Sequence, residues 1–421
     1  MSSNNPSGNN QWGSKNYPPD DILSAELHQY AKERLTNDQR LQRLEQKFSL
    51  KIGKTKLTNL NNKFGVPSPR KPPPSDVAMQ AVLEKVANDT AQRNGVGTIL
   101  TLLGNEGMSL PRDFVRQVLA QHAPEGLALR FPGARGRVKR SALQALGPNY
   151  QHHADGHDKI APQALPELGG VGLFIYGIKD QYSSFLLHLV TVPNNRIATT
   201  IGHVYLDCAD KHGLIPITFI VDKGSETRYI FAIQTGIREA YAPDIDSDKY
   251  PAALHLKSVH NTPIEGLWHW FTNTMGVNLK DELRRGYTDG FFHPGSQIHT
   301  DLFNWLWPKI LQQQLDIFTE YWNNHKIRSQ PDKPNASGTT PRNAFINPKS
   351  CSPQAEECGI AVDSFVVDAL RKGIPVSREE AMRYVSNEFC AKAEAVYKQI
   401  GSPALKPLDG WSIFADMACL L

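Results

Sequence analysis

Three acidic residues lie where the sequence predicts the end of a strand or the start of a helix: Asp155, Asp222 and Glu265. Asp222 directly follows the apolar run Ile215–Val221, which is typical of a strand in the middle of a sheet. Hard divalent cations such as Mg²⁺ prefer oxygen ligands, and two of them about 3.5 to 4 Å apart activate a nucleophilic oxygen and stabilise a leaving oxygen in phosphoryl transfer. A few converging carboxylates are therefore candidates for that chemistry.

Each of these acids is also compatible with an ordinary structural role. Asp222 could belong to a turn that ends a strand, Glu265 could be a solvated helix residue, and Asp155 could lie in a loop. Asp158 and Asp180 are alternatives to Asp155. We favour Asp155 because Asp180 is expected in a hairpin turn and Asp158 lies beyond the glycine that follows Asp155.

Histidines and tryptophans offer two further kinds of chemistry. His152, His153 and His157 could suggest zinc together with Asp158, but the chain has no matching pair of histidines or cysteines elsewhere. His153 or His157 could instead support the site by contacting a phosphate or stabilising a bound substrate. Four tryptophans are predicted to anchor a core or an interface rather than to stack on bases: Trp268, Trp270, Trp305 and Trp307.

The elements around these residues alternate between strands and helices, which predicts a mixed α/β domain with the order βββαβαβα. Two strands, Val171–Tyr176 and Phe185–Val192, are expected to form a hairpin around the polar turn Lys179–Gln181. The later elements are a helix over Asn194–His212, the strand Ile215–Val221, a helix over Thr227–Ala240, a short strand within Ala252–Val259, and a helix through Phe271 that Asn261 is expected to cap.

Three strings in this region resemble the integrase core of retrovirus-like elements and related transposases, which has a ribonuclease H-like fold. They are His153-Ala154-Asp155-Gly156-His157, Val221-Asp222-Lys223-Gly224-Ser225-Glu226, and the segment Ser258–Trp268, in which Asn261 precedes a helix that carries Glu265. The resemblance is closest to the standalone integrase-core proteins of eukaryotic genomes, and the string Asn194-Asn195-Arg196 is similar to theirs too.

This resemblance implies that Asp155, Asp222 and Glu265 are the catalytic residues of a DDE motif and the ligands of two Mg²⁺ or Mn²⁺ ions, with Asp155 bridging both. Asn261 would support the site. Two departures are visible. Lys223 stands where the family often has Asn, and the separation between Asp222 and Glu265 is longer than in compact retroviral integrases, so that we expect an insertion at Ala242–Tyr250.

The N-terminal part predicts a DNA-binding unit. Nine basic residues and one acid lie between Arg40 and Lys71, and apolar residues recur at helical spacing on either side of Gly53, as in a helix-turn-helix. The second helix would then present Lys54, Lys56, Asn59 and Lys63 to DNA. The alternative is a small bundle with a solvated basic face.

The whole chain is divided by composition shifts into seven segments. Residues 1–19 are expected to be a disordered tail, 20–66 the helix-turn-helix-like unit, 67–75 a Pro-rich linker, 76–129 a second helical unit, and 130–146 a basic linker. The catalytic core would occupy 147–345, and a helical appendage 346–421. In the basic linker, Arg135, Arg137, Lys139 and Arg140 suit contacts to phosphates, although a flexible solvated loop has the same composition.

Bulk composition limits the other classes. The net charge of +4 is weak evidence for a nucleic-acid partner, and five cysteines without paired CxxC spacing argue against a disulfide scaffold or a conventional zinc module. The first residues do not resemble a signal peptide, and the longest apolar stretch, around Val171–Ile178, is too short to cross a bilayer. We expect an intracellular protein, in the nucleus, with no membrane segment.

These observations predict an α/β protein, with a ribonuclease H-like mixed-sheet core between all-α N-terminal units and a helical C-terminal part. The resemblance implies metal-dependent cleavage and strand transfer of duplex DNA, as in integration and transposition, by a homo-oligomer. The main alternative is a domesticated, catalytically silent DNA-binding protein with the same fold. A third interpretation is a ribonuclease H-like nuclease that acts on RNA/DNA hybrids, although the basic helices favour duplex DNA.

Overall fold

The computed structural model describes residues 17–123, 145–256, 261–330 and 335–421. These residues form two compact units, one within Met1–Lys85 and Val96–Pro124 and the other within Val86–Gly95 and Glu125–Leu421. None of the helices in these described ranges combines the length and apolar character needed to cross a membrane.

The first unit begins with three helices around a shared apolar core: α1 (Asp20–Lys32), α2 (Asn37–Phe48) and α3 (Lys54–Lys63). Thr36 and Gln39 form a reciprocal capping box at the start of α2, which satisfies amide groups that the first turn leaves open. The predicted helical spacing is confirmed here, since the core contains Leu23, Leu27, Tyr30, Leu35, Leu44, Leu50, Ile52, Leu57 and Leu60.

Three further helices follow: α4 (Ser75–Ala87), α5 (Val96–Asn105) and α6 (Arg112–His122). Their buried faces are aliphatic, with Val82, Ile99 and Val115 almost fully enclosed. Burying such side chains contributes about 1.5–3 kcal/mol each relative to exposure, which is how short helices of this kind become stable.

The second unit is built on a five-stranded sheet. Its elements in chain order are β1 (Gln151–His157), β2 (Phe174–Asp180), β3 (Leu186–Val192), α7 (Ala198–His212), β4 (Leu214–Ile215), β5 (Thr218–Asp222), α8 (Arg228–Tyr241) and β6 (Ala253–Leu256). The spatial order is β3-β2-β1-β5-β6. β1, β2 and β3 are antiparallel neighbours, whereas β5 pairs in parallel with both β1 and β6. This mixed sheet confirms the predicted ribonuclease H-like architecture.

Helices follow the sheet. α9 (Thr262–Phe271) continues through a π-helical turn at Thr272–Gly276 into α10 (Val277–Thr288), and α11 (Gln297–Asn324) is the longest helix. The remaining elements are α12 (Pro341–Ile346), β7 (Ile360–Ala361), α13 (Ser364–Lys372), α14 (Arg378–Ala381), α15 (Asn387–Gln399) and α16 (Gly410–Ala418).

The C-terminal elements pack on the sheet unit. β7 pairs with β4, and Val367 of α13 is buried in the same core cluster as the apolar face of α7. Asp207 on α7 accepts ion pairs from Arg371 and Arg378 at 2.7 and 2.9 Å. Residues 346–421 therefore contribute to the core of this unit.

Several predicted boundaries are wrong. The hairpin turn does not begin at Lys179, because Lys179 and Asp180 are the last residues of β2 and are buried. The strand predicted over Ile215–Val221 is interrupted at Pro216, which has no amide hydrogen to donate, so that it becomes β4 and β5. α7 begins at Ala198 rather than at Asn194.

Candidate active site

Asp155 and Asp222 lie close together because their strands are parallel neighbours. β1 and β5 are paired with His153 opposite Ile220. Continued for two residues, the same register brings Asp155 level with Asp222, and residues level with one another on paired strands project from the same face of a sheet. The sheet therefore places the first two predicted acids side by side toward the carboxyl ends of two interior strands. We call this end of the sheet, with Asp155, Asp222 and Glu265, the acidic edge.

Trp268 packs against Asp155 in the space that a glycine of β2 leaves open. Gly177 is opposite Asp155 on that strand, and a Cβ atom at Gly177 would come within 2.8 Å of the Trp268 ring. The missing side chain leaves space for the indole, whose Nε1 donates a 3.0 Å hydrogen bond to Oδ2 of Asp155. The other carboxylate oxygen, Oδ1, accepts from the backbone amide of Gly156 at 2.8 Å.

Glu265 is brought to this edge by the first turn of α9, where its side chain is exposed. Lys179 at the end of β2 holds that turn, since its Nζ donates a 2.7 Å hydrogen bond to the carbonyl oxygen of Pro263. Burial, followed by the charges of Asp222 and Glu265, raises the pKa of the Asp155 carboxyl from its ordinary value to about 7. The negative charges of Asp222 and Glu265 therefore act on the carboxyl of Asp155.

Asn261 joins the two strand ends instead of capping α9 with its side chain. It precedes the helix, but no capping hydrogen bond from its side chain forms, so that part of the prediction is wrong. Its Nδ2 instead contacts Oδ1 of Asp222 and the carbonyl oxygen of Ala154, both at 3.2 Å. The buried amide therefore links β1, β5 and the start of α9 at the acidic edge.

His153 extends this hydrogen-bond network from Asn261 to Gln181. Its Nδ1 lies 2.7 Å from Oδ1 of Asn261, and its Nε2 lies 2.7 Å from Oε1 of Gln181. Because Asn261 turns its Nδ2 toward two oxygen acceptors, its Oδ1 must face His153, and Nδ1 of the ring carries the proton. Burial lowers the pKa of His153 and outweighs the hydrogen bonds to Gln181 and Asn261, which raise it.

Residues 143–348, which contain the five-stranded sheet and the three acids, match the family model described as integrase core domain. The chain contains an integrase core domain. No curated protein matches the chain in sequence. The resemblance stated from the three strings is therefore confirmed at the level of an integrase-like catalytic core with a ribonuclease H-like sheet.

The acids of this integrase core suit a hard divalent cation by donor type, since carboxylate oxygens are the ligands that Mg²⁺ prefers. Burial, followed by the charges of Asp222 and Glu265, disfavours the ionised form of Asp155, and a bound cation would offset both effects. Within the described ranges, however, no three His, Cys, Asp or Glu side chains converge closely enough to hold a metal ion. Oxygens of Asp155 and Asp222 are instead bonded to Trp268 and Asn261.

His157 supports Trp268 from the next position on the same face of β1. The two rings are stacked with centroids 4.8 Å apart, and Phe271 meets the His157 ring edge-on at 5.4 Å. Burial lowers the pKa of His157 to about 4, so that the ring is neutral at pH 7. In the structure this histidine packs against the indole that binds Asp155, which is a positioning contact.

The alternative acids have other partners. Asp180 is fully buried and accepts hydrogen bonds from the amides of Asn149 and Ser183 at 2.8 and 2.7 Å, so it closes the end of β2. Asp158 is bound by Arg196 at 2.9 Å and by Asn195 at 2.6 Å. These contacts give both acids structural roles away from the pair formed by Asp155 and Asp222.

The predicted DNA-binding residues fall into two groups. Lys54, Lys56, Asn59 and Lys63 are all exposed on α3, where Lys54 pairs with Asp38 at 2.7 Å and Lys63 pairs with Asp20 at 2.5 Å. Arg135, Arg137, Lys139 and Arg140 lie outside the described residues, as do residues 258–260 of the third string.

Sequence reasoning missed four contributors to the site: Gly177, Lys179, Gln181 and Trp268. Trp268 was predicted to be a core anchor, and its position three residues after Glu265, on the neighbouring part of the same helical face, was the available signal. No local signal identifies Gly177 or Lys179, because their roles depend on the register between β1 and β2 and on the position of α9.

Proposed function

We propose that this chain is a polynucleotidyl transferase that cleaves DNA strands and joins them, with Asp155, Asp222 and Glu265 as its catalytic residues and as ligands of two Mg²⁺ or Mn²⁺ ions. The match of residues 143–348 to an integrase core domain supports a polynucleotidyl transferase-like function. The observation that carries the finer proposal is the parallel register of β1 and β5, which sets Asp155 beside Asp222.

The protein side of the chemistry follows from the contacts at the acidic edge. Two bound divalent cations would supply activation of the attacking oxygen and charge stabilisation of the leaving oxygen. Asn261 fixes one oxygen of Asp222, and the buried Trp268 fixes one oxygen of Asp155. Glu265 adds the third negative charge from a helix that Lys179 holds against the sheet. Such prior fixing of ligands reduces the reorganisation needed during the reaction.

A second candidate is a catalytically silent DNA-binding protein that retains the integrase fold. One observation favours it: the described acids do not converge to a metal site, and hydrogen bonds from Trp268 and Asn261 occupy oxygens that a cation would need. In this case the acidic edge would serve the fold, and DNA binding alone would be the activity.

Cleavage and strand transfer on labelled duplex DNA, with Mg²⁺ or Mn²⁺, distinguish the two candidates. The decisive variant is Asp222→Asn, which removes a ligand charge with little change in volume. Asp244→Asn is the matched control, since Asp244 is an exposed acid of the same unit outside the sheet edge. The transferase proposal expects both activities in the wild type and the control and neither in Asp222→Asn, with DNA binding retained. Binding without turnover in all three proteins identifies the silent candidate.

The preferred nucleic acid is proposed to be duplex DNA rather than an RNA/DNA hybrid. The exposed face of α3 with Lys54, Lys56, Asn59 and Lys63 supports this, as does the basic segment with Arg135, Arg137, Lys139 and Arg140 in the sequence. Competition between unlabelled duplex DNA and unlabelled hybrid for a labelled DNA duplex tests the preference. Stronger competition by the hybrid would point to a ribonuclease H-like nuclease.

The setting of the reaction follows from the proposed substrate. We place the protein in the nucleus, where duplex DNA is found. We also expect a homo-oligomer, since the family resemblance implies that joining two DNA ends needs more than one subunit. A fluorescent fusion expressed in cells tests the first statement. Light scattering with and without DNA ends tests the second, and a monomer in both conditions would contradict it.

A further inference from the structure

A basic pocket lies next to the acidic edge and has no part in the proposed metal chemistry. It has a volume of about 210 Å³, and its walls include Arg93, His157, Lys159, Thr272, Asn273 and Lys280. All of these belong to the sheet unit. The pocket is smaller than the roughly 300–1,000 Å³ of pockets for drug-sized ligands, so it suits a small group.

Three separate segments bring the cations of this pocket together. Lys159 follows β1, and Lys280 lies on α10. Arg93 belongs to the segment Val86–Gly95, which Asn278 of α10 ties down. Oδ1 of Asn278 accepts from the amide of Ala91 at 2.8 Å and from the hydroxyl of Thr90 at 3.0 Å, and its Nδ2 donates to Asp89 at 3.0 Å. The convergence therefore depends on specific contacts within the fold.

Nearby acids do not neutralise the two lysines. Asp158 is paired with Arg196, and Glu167 is paired with Arg284 at 2.7 Å. Neither Lys159 nor Lys280 forms an ion pair within 4.0 Å with any residue that the structure describes. Burial lowers the pKa of Lys280, and the charges of Arg284 and Lys159 lower it further, against smaller opposing effects of Glu167 and Asp281. An anion in the pocket would relieve this repulsion.

The wall that faces the lysines also has an unusual backbone. Thr272–Gly276 forms a π-helical turn between α9 and α10, and π-helical turns occur frequently at functional sites. Thr272, Asn273 and Gly276 of this turn line the pocket, so two polar side chains stand beside the cations. Together these groups offer charge and hydrogen-bond donors of the kind that bind phosphate oxygens.

We propose that this pocket binds a backbone phosphate of the DNA strand that enters the acidic edge, an inference that rests on the proposed function. The distance is suitable because His157, which lines the pocket, is two residues from Asp155 on β1, or about 7 Å along the strand. One strand can therefore reach both places. By holding one phosphate of the DNA strand, the pocket fixes which neighbouring phosphate of that DNA strand lies over the acids.

The test measures binding of a short labelled DNA duplex by fluorescence anisotropy in EDTA, so that no cleavage occurs. Lys159→Gln combined with Lys280→Gln is expected to weaken binding about tenfold and to reduce the slope of log K against log salt by about 1, because each neutralised phosphate adds about 1 to that slope. Lys159→Arg with Lys280→Arg retains the charges and is expected to keep most of the affinity. Lys372→Gln with Lys398→Gln is the control for removal of two exposed lysines.

The outcomes separate this inference from the proposed function. If the wild type cleaves DNA but the Lys159 and Lys280 glutamine variant binds with the same affinity and slope as the control, the pocket inference is overturned alone. If that variant loses affinity and slope while Asp222→Asn cleaves like the wild type, the pocket stands and the assignment of the acids fails. Circular dichroism melting curves confirm that each variant is folded.

Inorganic phosphate distinguishes a DNA phosphate from a free one. Our proposal expects weak binding of inorganic phosphate by calorimetry in the wild type, and its loss in the glutamine variant together with DNA affinity. Tight binding of inorganic phosphate that disappears in the variant, with DNA affinity unchanged, would assign the pocket to a free anion and overturn the proposal.

Discussion

The acidic edge of the sheet and the basic face of α3 use charge in opposite ways. At the edge, Asp155 is partly buried and both of its oxygens have hydrogen-bond donors, Trp268 and the Gly156 amide. On α3, Lys54 and Lys63 are exposed and pair with the exposed acids Asp38 and Asp20. The first arrangement fixes the carboxyl of Asp155 in one position, whereas the second leaves long side chains that can exchange partners.

This difference indicates how each region can contribute. Exposed ion pairs contribute only about 0–1 kcal/mol, so α3 can release its lysines to DNA phosphates at little cost to the fold. Like charges held together in a partly buried site are unfavourable, and they persist where the surrounding contacts impose them. The acidic edge therefore suits catalysis, and the basic face of α3 suits DNA binding that does not require its charges to be precisely placed.

The largest effect is expected from Asp155→Asn. Removing this charge should lower cleavage and strand transfer by at least about 10²–10³-fold, the range seen when one preorganised group that stabilises charge is removed. DNA binding should be retained, since the basic residues are untouched. Rates of product formation at saturating Mn²⁺ check the prediction, with Asp244→Asn as the exposed-acid control. Equal rates in the two variants would show that the edge has no special role.

Asn261→Ala should have the next largest effect. It removes the amide that bonds Asp222 and leaves His153 without its Nδ1 acceptor. Loss of a residue that orients a metal ligand typically costs 10–100-fold, so we expect about that loss in cleavage rate, with a higher Mn²⁺ concentration needed for half-maximal activity. Asn387→Ala, at an exposed asparagine on α15, is the control. A reduced rate with an unchanged metal requirement would argue against the positioning role.

The sequence predicts the elements of the core well where the pattern is local. The apolar run before Asp222 correctly indicated a central strand, and the helical spacing of Leu57 and Leu60 correctly indicated α3. The order of strands and helices predicted a mixed α/β domain, and the family resemblance implied its ribonuclease H-like sheet. In each case the signal lies within a few consecutive residues, because it reflects burial of one face or of a whole segment.

Features that depend on distant contacts could not be predicted in this way. Lys179 and Asp180 have the composition of a turn, yet both are buried at the end of β2 because Pro263 and the Asn149 amide satisfy them. Gly177 resembles any other glycine in a strand until the register places it opposite Asp155. A side-chain cap was predicted from the position of Asn261 before a helix, but its Oδ1, the atom that would accept from the first helical turn, lies 2.7 Å from Nδ1 of His153.

The raised pKa of Asp155 predicts a smaller effect, on stability. The folded-state pKa of about 7 exceeds the ordinary value of 3.8, so the folded protein binds this proton more tightly than the unfolded chain. Stability therefore falls as the pH rises from about 4 through about 7, by at most about 4 kcal/mol. Melting temperatures in EDTA at pH 5 and pH 8 should differ by a few degrees more in the wild type than in Asp155→Asn. If the melting temperatures of the two proteins change equally between pH 5 and pH 8, the carboxyl of Asp155 is not strained, and the acidic edge does not differ in this way from the basic face of α3.

The smallest effect is expected on the basic face of α3. Lys54→Gln with Lys63→Gln should weaken duplex binding several-fold and reduce the salt dependence, because each lysine that contacts a phosphate releases about one counterion. The same variant should change the free energy of unfolding by less than about 1 kcal/mol, since both ion pairs are exposed. Anisotropy titrations and urea unfolding measure the two quantities, with Lys398→Gln as a single-lysine control. Unchanged DNA binding would make α3 a solvated face of a helical bundle, and a large loss of stability would show that its charges are fixed by the fold like those of the acidic edge.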